Sequence, residues 1–252
     1  MSPVPPATDD YVARRGYQAI DSRRYERRRY GTRIRRMNLR FLEAALARAL
    51  AGVPRDRPLL DVPCGTGILL DSLAGQGFRV VETDISPAML SVSAPRAAKL
   101  GLGCVRADLE APPYRPRTFG AVVCVRFLMH LDSAQRVRVL RTLATLTNGP
   151  VVGTVCHPYT FKSFGRAVRR LLGGRPKRSQ RLTRRELEAE VGAAGLRLES
   201  VSALFPVFSE VWVVVIRNPR SSSVETIANG HRHDDRERPG AGDPRLARLP
   251  DR

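Results

Sequence analysis

The 252-residue chain has no long apolar run, few cysteines and almost no lysine, and each scarcity excludes something. No hydrophobic stretch approaches the ~18 residues needed to span a bilayer. The opening residues, MSPVPPATDDYVARRGYQ, lack the apolar core of a secretory signal. Membrane-spanning and secreted readings are therefore disfavoured. The four cysteines (Cys64, Cys104, Cys124, Cys156) are widely spaced and form no CxxC pair, so neither a zinc site nor a disulfide framework has support and no metal is expected. Reduced, mostly buried thiols in a cytoplasmic protein are the expectation. Among 43 basic residues only Lys99, Lys162 and Lys177 are lysine; the other 40 are arginine. A net charge of +19 attracts phosphate backbones or anionic headgroups, but an arginine skew also follows from a GC-rich coding bias. The placement of the charge therefore says more than its sum.

Residues 1–57 carry 14 arginines against six acids and become helix-like only over Met37–Leu46, a basic N-terminal arm or lid ending in a helix. From Pro58 to about Ile216 the pattern changes to short apolar runs alternating with helical stretches: Leu59–Val62, Arg79–Val81, Cys104–Val105, Ala121–Val125 and Val151–Val155. Continuous apolar strands separated by helices indicate a parallel sheet covered on both faces. Thr183-Arg184-Arg185-Glu186 reads as a capping box opening a helix that runs to Gly195. The runs Leu196–Leu204 and Phe208–Ile216, joined through Pro206, are too closely linked for a parallel crossover and predict an antiparallel hairpin. Residues 218–252, almost devoid of large apolar side chains, are expected to form a disordered tail.

The chemistry-bearing motif lies at the end of the first strand, Leu60-Asp61-Val62-Pro63-Cys64-Gly65-Thr66-Gly67, with the apolar helix Ile68–Leu73 expected to follow at once. Glycines there let the backbone approach a ligand, and a helix N-terminus offers unpaired N–H groups. The second strand ends in Glu82-Thr83-Asp84, which sets an acid where an adenosine ribose would present its hydroxyls. That adenosine could belong to NAD, FAD or S-adenosylmethionine. The spacing Asp61-x-x-x-Gly65-x-Gly67 puts Pro63 where a dinucleotide fingerprint has its first glycine. It also places a carboxylate that suits the cationic methionine part of S-adenosylmethionine and repels a pyrophosphate.

These residues resemble the class I S-adenosylmethionine-dependent methyltransferases, particularly the small-molecule branch of the ubiquinone/menaquinone type, over about Pro58 to Ile216. Motif I is similar to Leu60–Gly67, with Pro63 in place of the usual glycine. Motif II resembles Val81–Leu90, in which Asp84 matches the ribose-binding acid and Ile85 packs beside the adenine. Val105–Glu110 resembles the segment whose acid, Asp108, contacts the adenine amino group, and Phe119–Leu131 the strand and loop that border the transferable methyl. The resemblance implies a Rossmann-like, doubly wound α/β fold with a seven-stranded sheet, an antiparallel last strand and helices on both faces. It implies S-adenosyl-L-methionine as cofactor, held by Asp61, Pro63, Gly65, Gly67, Asp84, Ile85, Asp108, Leu109 and Val125. The implied activity is in-line methyl transfer to a small-molecule or lipid acceptor, with Tyr17, Tyr25, Tyr30, Arg126 and Tyr159 on the substrate side.

His130 and His157 each stand just beyond a strand whose C-terminal end faces the site, so each is a candidate to take a proton from the acceptor. His130 also reads as a packing residue, and His157-Pro158-Tyr159 is the preferred substrate-side candidate. Phe161–Arg185 holds ten basic residues and no acid. Its amphipathic pattern reads either as a solvated surface helix or as a cap (162–185) contacting an anionic membrane, which would place the protein at the inner membrane face. RNA or protein methylation, recruited by charge, is the competing activity; a non-catalytic cofactor-binding relative is the third.

Overall fold

The computed structural model describes residues 32–160, 180–204 and 209–219. Seven strands form one sheet in the order β3-β2-β1-β4-β5-β7-β6. They are β1 (Leu59–Asp61), β2 (Val80–Asp84), β3 (Gly103–Arg106), β4 (Ala121–Cys124), β5 (Val151–Cys156), β6 (Arg197–Ala203) and β7 (Val211–Arg217). Strands β1 to β5 pair in parallel, whereas β7 runs antiparallel between β5 and β6. The helices are α1 (Arg33–Ala49), α2 (Leu70–Gly75), α3 (Pro87–Lys99), α4 (Ser133–Thr145) and α5 (Arg184–Ala193), with a 3₁₀ turn at Leu128–His130.

Strand alternation sorts the apolar side chains into two layers. Val122, Cys124, Val151, Val155, Val214 and Ile216 join the layer completed by Val139, Leu140 and Leu143 of α4 and by Leu187 and Val191 of α5. The opposite faces, Ala121, Val123, Val152, Val213 and Val215, meet Leu42, Ala45 and Leu46 of α1 with Leu70 and Leu73 of α2. Cover on both sides explains why these strands read as continuous apolar runs. Each fully buried leucine such as Leu59 or Leu60 contributes about 1.5–3 kcal/mol relative to exposure. Edge strand β6 is mostly exposed and polar, and its Glu199 pairs with Arg217 at 2.5 Å.

Several boundaries differ from expectation for identifiable reasons. Helix α1 begins four residues before Met37, because the Thr32 hydroxyl accepts from the Arg35 N–H and caps a first turn of polar residues that an apolar pattern cannot reveal. Helix α2 begins at Leu70 rather than Ile68: Gly67 takes φ +70° and its carbonyl accepts from the Leu70 N–H at 3.2 Å, so tight turns occupy the space before it. The capping box at Thr183 is formed in both directions, and α5 ends at Ala193. Strand β7 starts at Val211, after Glu210 has turned its carboxylate to Arg181 at 3.2 Å. Most of the expected cap (161–179), Tyr17, Tyr25 and Tyr30, and nearly all of the expected tail (220–252) lie outside the described residues.

A buried ion pair joins α4 to α5 within one of these layers. The Arg136 guanidinium, 1% exposed, donates from Nε to Glu190 Oε2 at 2.7 Å and from Nη2 to Oε1 at 3.0 Å. It also donates to the carbonyls of Leu128 and Leu131, which bracket the 3₁₀ turn. No helix among the described residues is long and apolar enough to cross a membrane.

Candidate functional site

The strand order reverses between β1 and β4, and a crevice beyond the C-terminal ends of strands at such a point is where open α/β sheets bind ligands. The Asp61–Gly67 turn emerges there. Its backbone stays tied to the sheet, since the Val62 N–H donates to the Val123 carbonyl and the Cys64 N–H to that of Thr83. Gly65 and Gly67 have φ of +58° and +70°, a region that favours glycine. A Cβ on Gly67 would also lie 2.8 and 2.9 Å from the Glu82 carboxylate oxygens. Around Gly65 the same test meets no atom within 4 Å, leaving its backbone open to approach.

Three carboxylates gather under this turn. Asp84, at the end of β2, accepts the Gly65 N–H on Oδ2 at 2.9 Å and the Ser86 N–H on Oδ1 at 2.8 Å. Burial raises its pKa above the ordinary range despite these hydrogen bonds. Asp61 is 1% exposed, and its Oδ2 has no hydrogen-bond partner among the described residues. Burial lifts its pKa well above the usual value, and the charges of Glu82 and Asp84 push it further. Glu82 is fully buried, takes the Ser93 hydroxyl on Oε2 and leaves Oε1 without a partner among the described residues. Its carboxyl is also raised, chiefly by burial. Sequence reasoning quoted Glu82 inside the motif without assigning it a role. The signal was its period-2 placement relative to Asp84, which turns it toward the turn's underside.

A cleft of about 460 Å³, including its open mouth, is lined by Val62, Pro63, Asp84, Ile85, Ala107, Asp108, Leu109, Glu110, Phe127 and Val139. It brings together five of the nine expected cofactor residues from three strand ends. Asp61, Gly65, Gly67 and Val125 are not among its walls. Asp108 Oδ1 accepts the Glu110 N–H at 3.0 Å, so this acid both closes a turn and faces the cleft. Phe127 was not singled out by sequence reasoning; it lies in the stretch after β4 where periodicity stops.

Arg126 adopts φ +60°, a backbone region uncommon for a non-glycine residue, and its N–H donates to the buried Thr154 hydroxyl at 2.7 Å. His130 ends the 3₁₀ turn, its N–H bonded to the Phe127 carbonyl. His157 is 3% exposed, and its Nδ1 accepts the Tyr159 N–H at 3.2 Å. Burial lowers its pKa below the ordinary imidazole value, opposed by the Ser209 backbone and the Glu210 charge. Burial thus favours the neutral ring, and with Nδ1 accepting the Tyr159 N–H its proton belongs on Nε2. Burial raises the Cys64 thiol well above its ordinary value, which disfavours the reactive thiolate. Among the described residues no group of three or more His, Cys, Asp or Glu side chains is arranged to hold a metal ion.

Residues 59–149 match the methyltransferase-domain family. The bovine 18S rRNA (guanine-N(7))-methyltransferase is 32% identical over 114 residues, covering 44% of this chain and 40% of that protein. The ubiquinone biosynthesis O-methyltransferase of Methylocella silvestris is 34% identical over 164 residues, covering 58% and 63%. The chain thus spans roughly half the length of these curated relatives. In fold it is similar to the Synechocystis PCC 6803 magnesium protoporphyrin IX methyltransferase, with a TM-score of 0.66 and 18% identity over 83% of this chain and 100% of that one. The matched methyltransferase domain at residues 59–149, together with the glycine turn, the strand-end acids and the seven-stranded sheet, supports a class I S-adenosylmethionine-dependent methyltransferase fold with S-adenosylmethionine as its cofactor.

Proposed function

We propose that this chain transfers a methyl group from S-adenosylmethionine to a small-molecule or lipid acceptor by in-line displacement. One observation carries the reading: the buried Asp61 carboxylate, whose Oδ2 has no hydrogen-bond partner among the described residues, stands under a glycine turn whose neighbour Asp84 lines the same cleft as Ile85, Asp108 and Leu109. These residues fit the cofactor. Asp84 has lone pairs left for ribose hydroxyls after its two backbone bonds, and Asp108 offers an acceptor to an adenine amino group between Ile85 and Leu109. A cation beside Asp61 would offset the burial and like charges that raise its pKa, favouring its charged form, which suits the cationic methionine portion. When bound, the cofactor contributes an electrophilic methyl group on a positively charged sulfur.

The protein's own part is to hold the acceptor in line and exclude water, so no nucleophilic side chain is required. Apolar walls from Val62, Phe127 and Val139 suit that task. Arg126, fixed by Thr154, stands at the acceptor edge of β4. For His157 to act as a base, its Nδ1 would have to give up the Tyr159 N–H.

Support for a small acceptor comes from the ubiquinone relative and from the aromatic side chains beyond β5. A nucleic-acid acceptor is favoured by the net charge of +19 and by the rRNA relative. The two separate by following labelled methyl groups from S-adenosylmethionine into an organic-soluble metabolite and lipid extract and into purified RNA. Saturable label in the organic fraction is expected. Saturable label in a defined RNA, with none in the extract, would reverse the choice. A lipid acceptor would be met at an anionic membrane surface, and vesicle binding that falls with salt would accompany it.

A further inference from the structure

Three rings converge where β5 ends and β7 begins. His157 stacks on Trp212 with centroids 4.5 Å apart and planes at 16°. Tyr159 lies 5.9 Å from His157 at 28° and 5.8 Å from Trp212 at 33°. Their place follows from topology. His157 succeeds the last residue of β5, and because β7 is antiparallel its opening residues Val211 and Trp212 pair with Cys156 and Val155. The His157 N–H completes the join by donating to the Glu210 carbonyl at 2.8 Å. The rings therefore stand on the same edge of the sheet as the Asp61–Gly67 turn, with β4 and β5 successive neighbours of β1. From β1 to β5 is two inter-strand spacings, roughly 10 Å.

The cluster is graded from enclosed to open. His157 is 3% exposed, Trp212 is half-buried and Tyr159 is 56% exposed. Trp212 and Phe127 pack against the same buried apolar layer, and Phe127 also lines the cofactor cleft. Cys156 Sγ and Met129 Sδ, 3.6 Å apart, lie between β5 and the 3₁₀ turn. His157 Nε2 is buried without a hydrogen-bond partner among the described residues. A large exposed tyrosine laid nearly parallel to a fixed imidazole–indole pair is a ready surface for another planar ring, since offset stacking adds to apolar burial.

We propose that Tyr159, backed by His157 and Trp212, is the specificity wall for the methyl acceptor and that the acceptor is a planar, fused-ring aromatic. This rests on the methyltransferase reading of the adjoining cleft. The two-strand offset from β1, roughly 10 Å, is within the reach of a fused-ring molecule, whereas a flexible alkyl chain lacks the stacking that parallel ring faces add to apolar burial. A phosphodiester backbone would find no cation presented by the three rings.

Trp212 is the sole tryptophan of the chain, so its emission reports on the wall directly. The experiment excites the full chain at a wavelength selective for tryptophan while adding 2-naphthol or n-decanol, each with and without S-adenosylhomocysteine, and measures S-adenosylhomocysteine binding separately by calorimetry. Saturable quenching by 2-naphthol, corrected against free N-acetyltryptophanamide, is expected, with decanol without effect. Tyr159→Ala should weaken the naphthol affinity about three- to tenfold, as loss of a stacked ring predicts. Tyr159→Phe should restore it, and both variants should bind S-adenosylhomocysteine as wild type does. No saturable quenching, equal response to decanol, or unchanged naphthol affinity in Tyr159→Ala would overturn the wall. Failure to bind S-adenosylhomocysteine would instead overturn the methyltransferase reading, because the naphthol arm without that compound reads the wall independently.

Discussion

The two halves of the sheet's C-terminal edge are built differently. On the β1–β2 side, ligand-facing groups come from short, continuous segments: the Asp61–Gly67 turn, Asp84–Ile85 and Asp108–Leu109, held mainly by backbone hydrogen bonds to carboxylates. On the β4–β5–β7 side, residues remote in sequence are brought together by strand pairing and side-chain packing: Arg126 on Thr154, His157 on Trp212, Arg136 on Glu190. The first arrangement sets its ligand-facing groups by local geometry. The second leaves the wall free to vary without disturbing the turn, which suits one cofactor and many acceptors.

The largest expected effect breaks the acceptor side. Arg136→Ala would strand the buried Glu190 carboxylate and free the carbonyls of Leu128 and Leu131. A loss of about 3–5 kcal/mol is expected, as for one partner removed from a buried pair, read by denaturant unfolding. Loss below about 1 kcal/mol would show that the ion pair does not anchor this half.

Next is the turn on the cofactor side. Gly67→Ala puts a side chain at φ +70° and against the Glu82 carboxylate that Ser93 holds. It should cost about 1–3 kcal/mol of stability for the strained backbone. Cofactor affinity, measured by calorimetry, should fall with it, and a variant with wild-type stability and affinity would contradict the tight fit seen under the turn.

A smaller effect separates the halves by pH. The carboxyls of Asp61, Glu82 and Asp84 all have pKa values raised by burial in the fold. Protons bind the folded chain more tightly than the unfolded one, so this stabilisation is full below the unfolded carboxylate range and is lost as pH rises through the raised values. His157, with a lowered pKa, acts in the opposite sense, its contribution being lost as pH falls through the ordinary imidazole value and below. Asp61→Asn in the cofactor-free protein should therefore flatten the decline of melting temperature above the acidic range and leave in place the His157-linked loss as pH falls through the ordinary imidazole value and below. An unchanged slope in the variant would remove Asp61 from the acid cluster.

The same contrast explains what was legible in the sequence. The parallel core could be read because Leu59–Asp61, Ala121–Cys124 and Val151–Cys156 are apolar on both faces, and the antiparallel hairpin because its link is too short for a crossover. Pro63, Asp84, Ile85, Asp108 and Leu109 could be brought to one cleft because each sits within a few residues of a strand end. Trp212 could not be seen as a site residue, since its role depends on the register Val155↔Trp212, which only the folded sheet sets. Period-2 spacing sets Glu82 on the same strand face as Asp84, but its buried place under Gly67 appears only when α3 brings Ser93 against it. Arg136 looks like any surface arginine of a helix until Glu190, 54 positions away, closes on it.

The most direct measurement is a calorimetric titration of S-adenosylmethionine into the full chain and into Asp84→Ala. Asp84 joins the glycine turn to the cleft, since it holds the Gly65 N–H while facing the ligand space. Saturable binding to the wild type is expected, weakened in the variant by about 1.5–3 kcal/mol, the range for a hydrogen bond to a charged group. Wild-type affinity in Asp84→Ala, or no binding to the wild-type chain, would contradict the placement of the cofactor in this cleft.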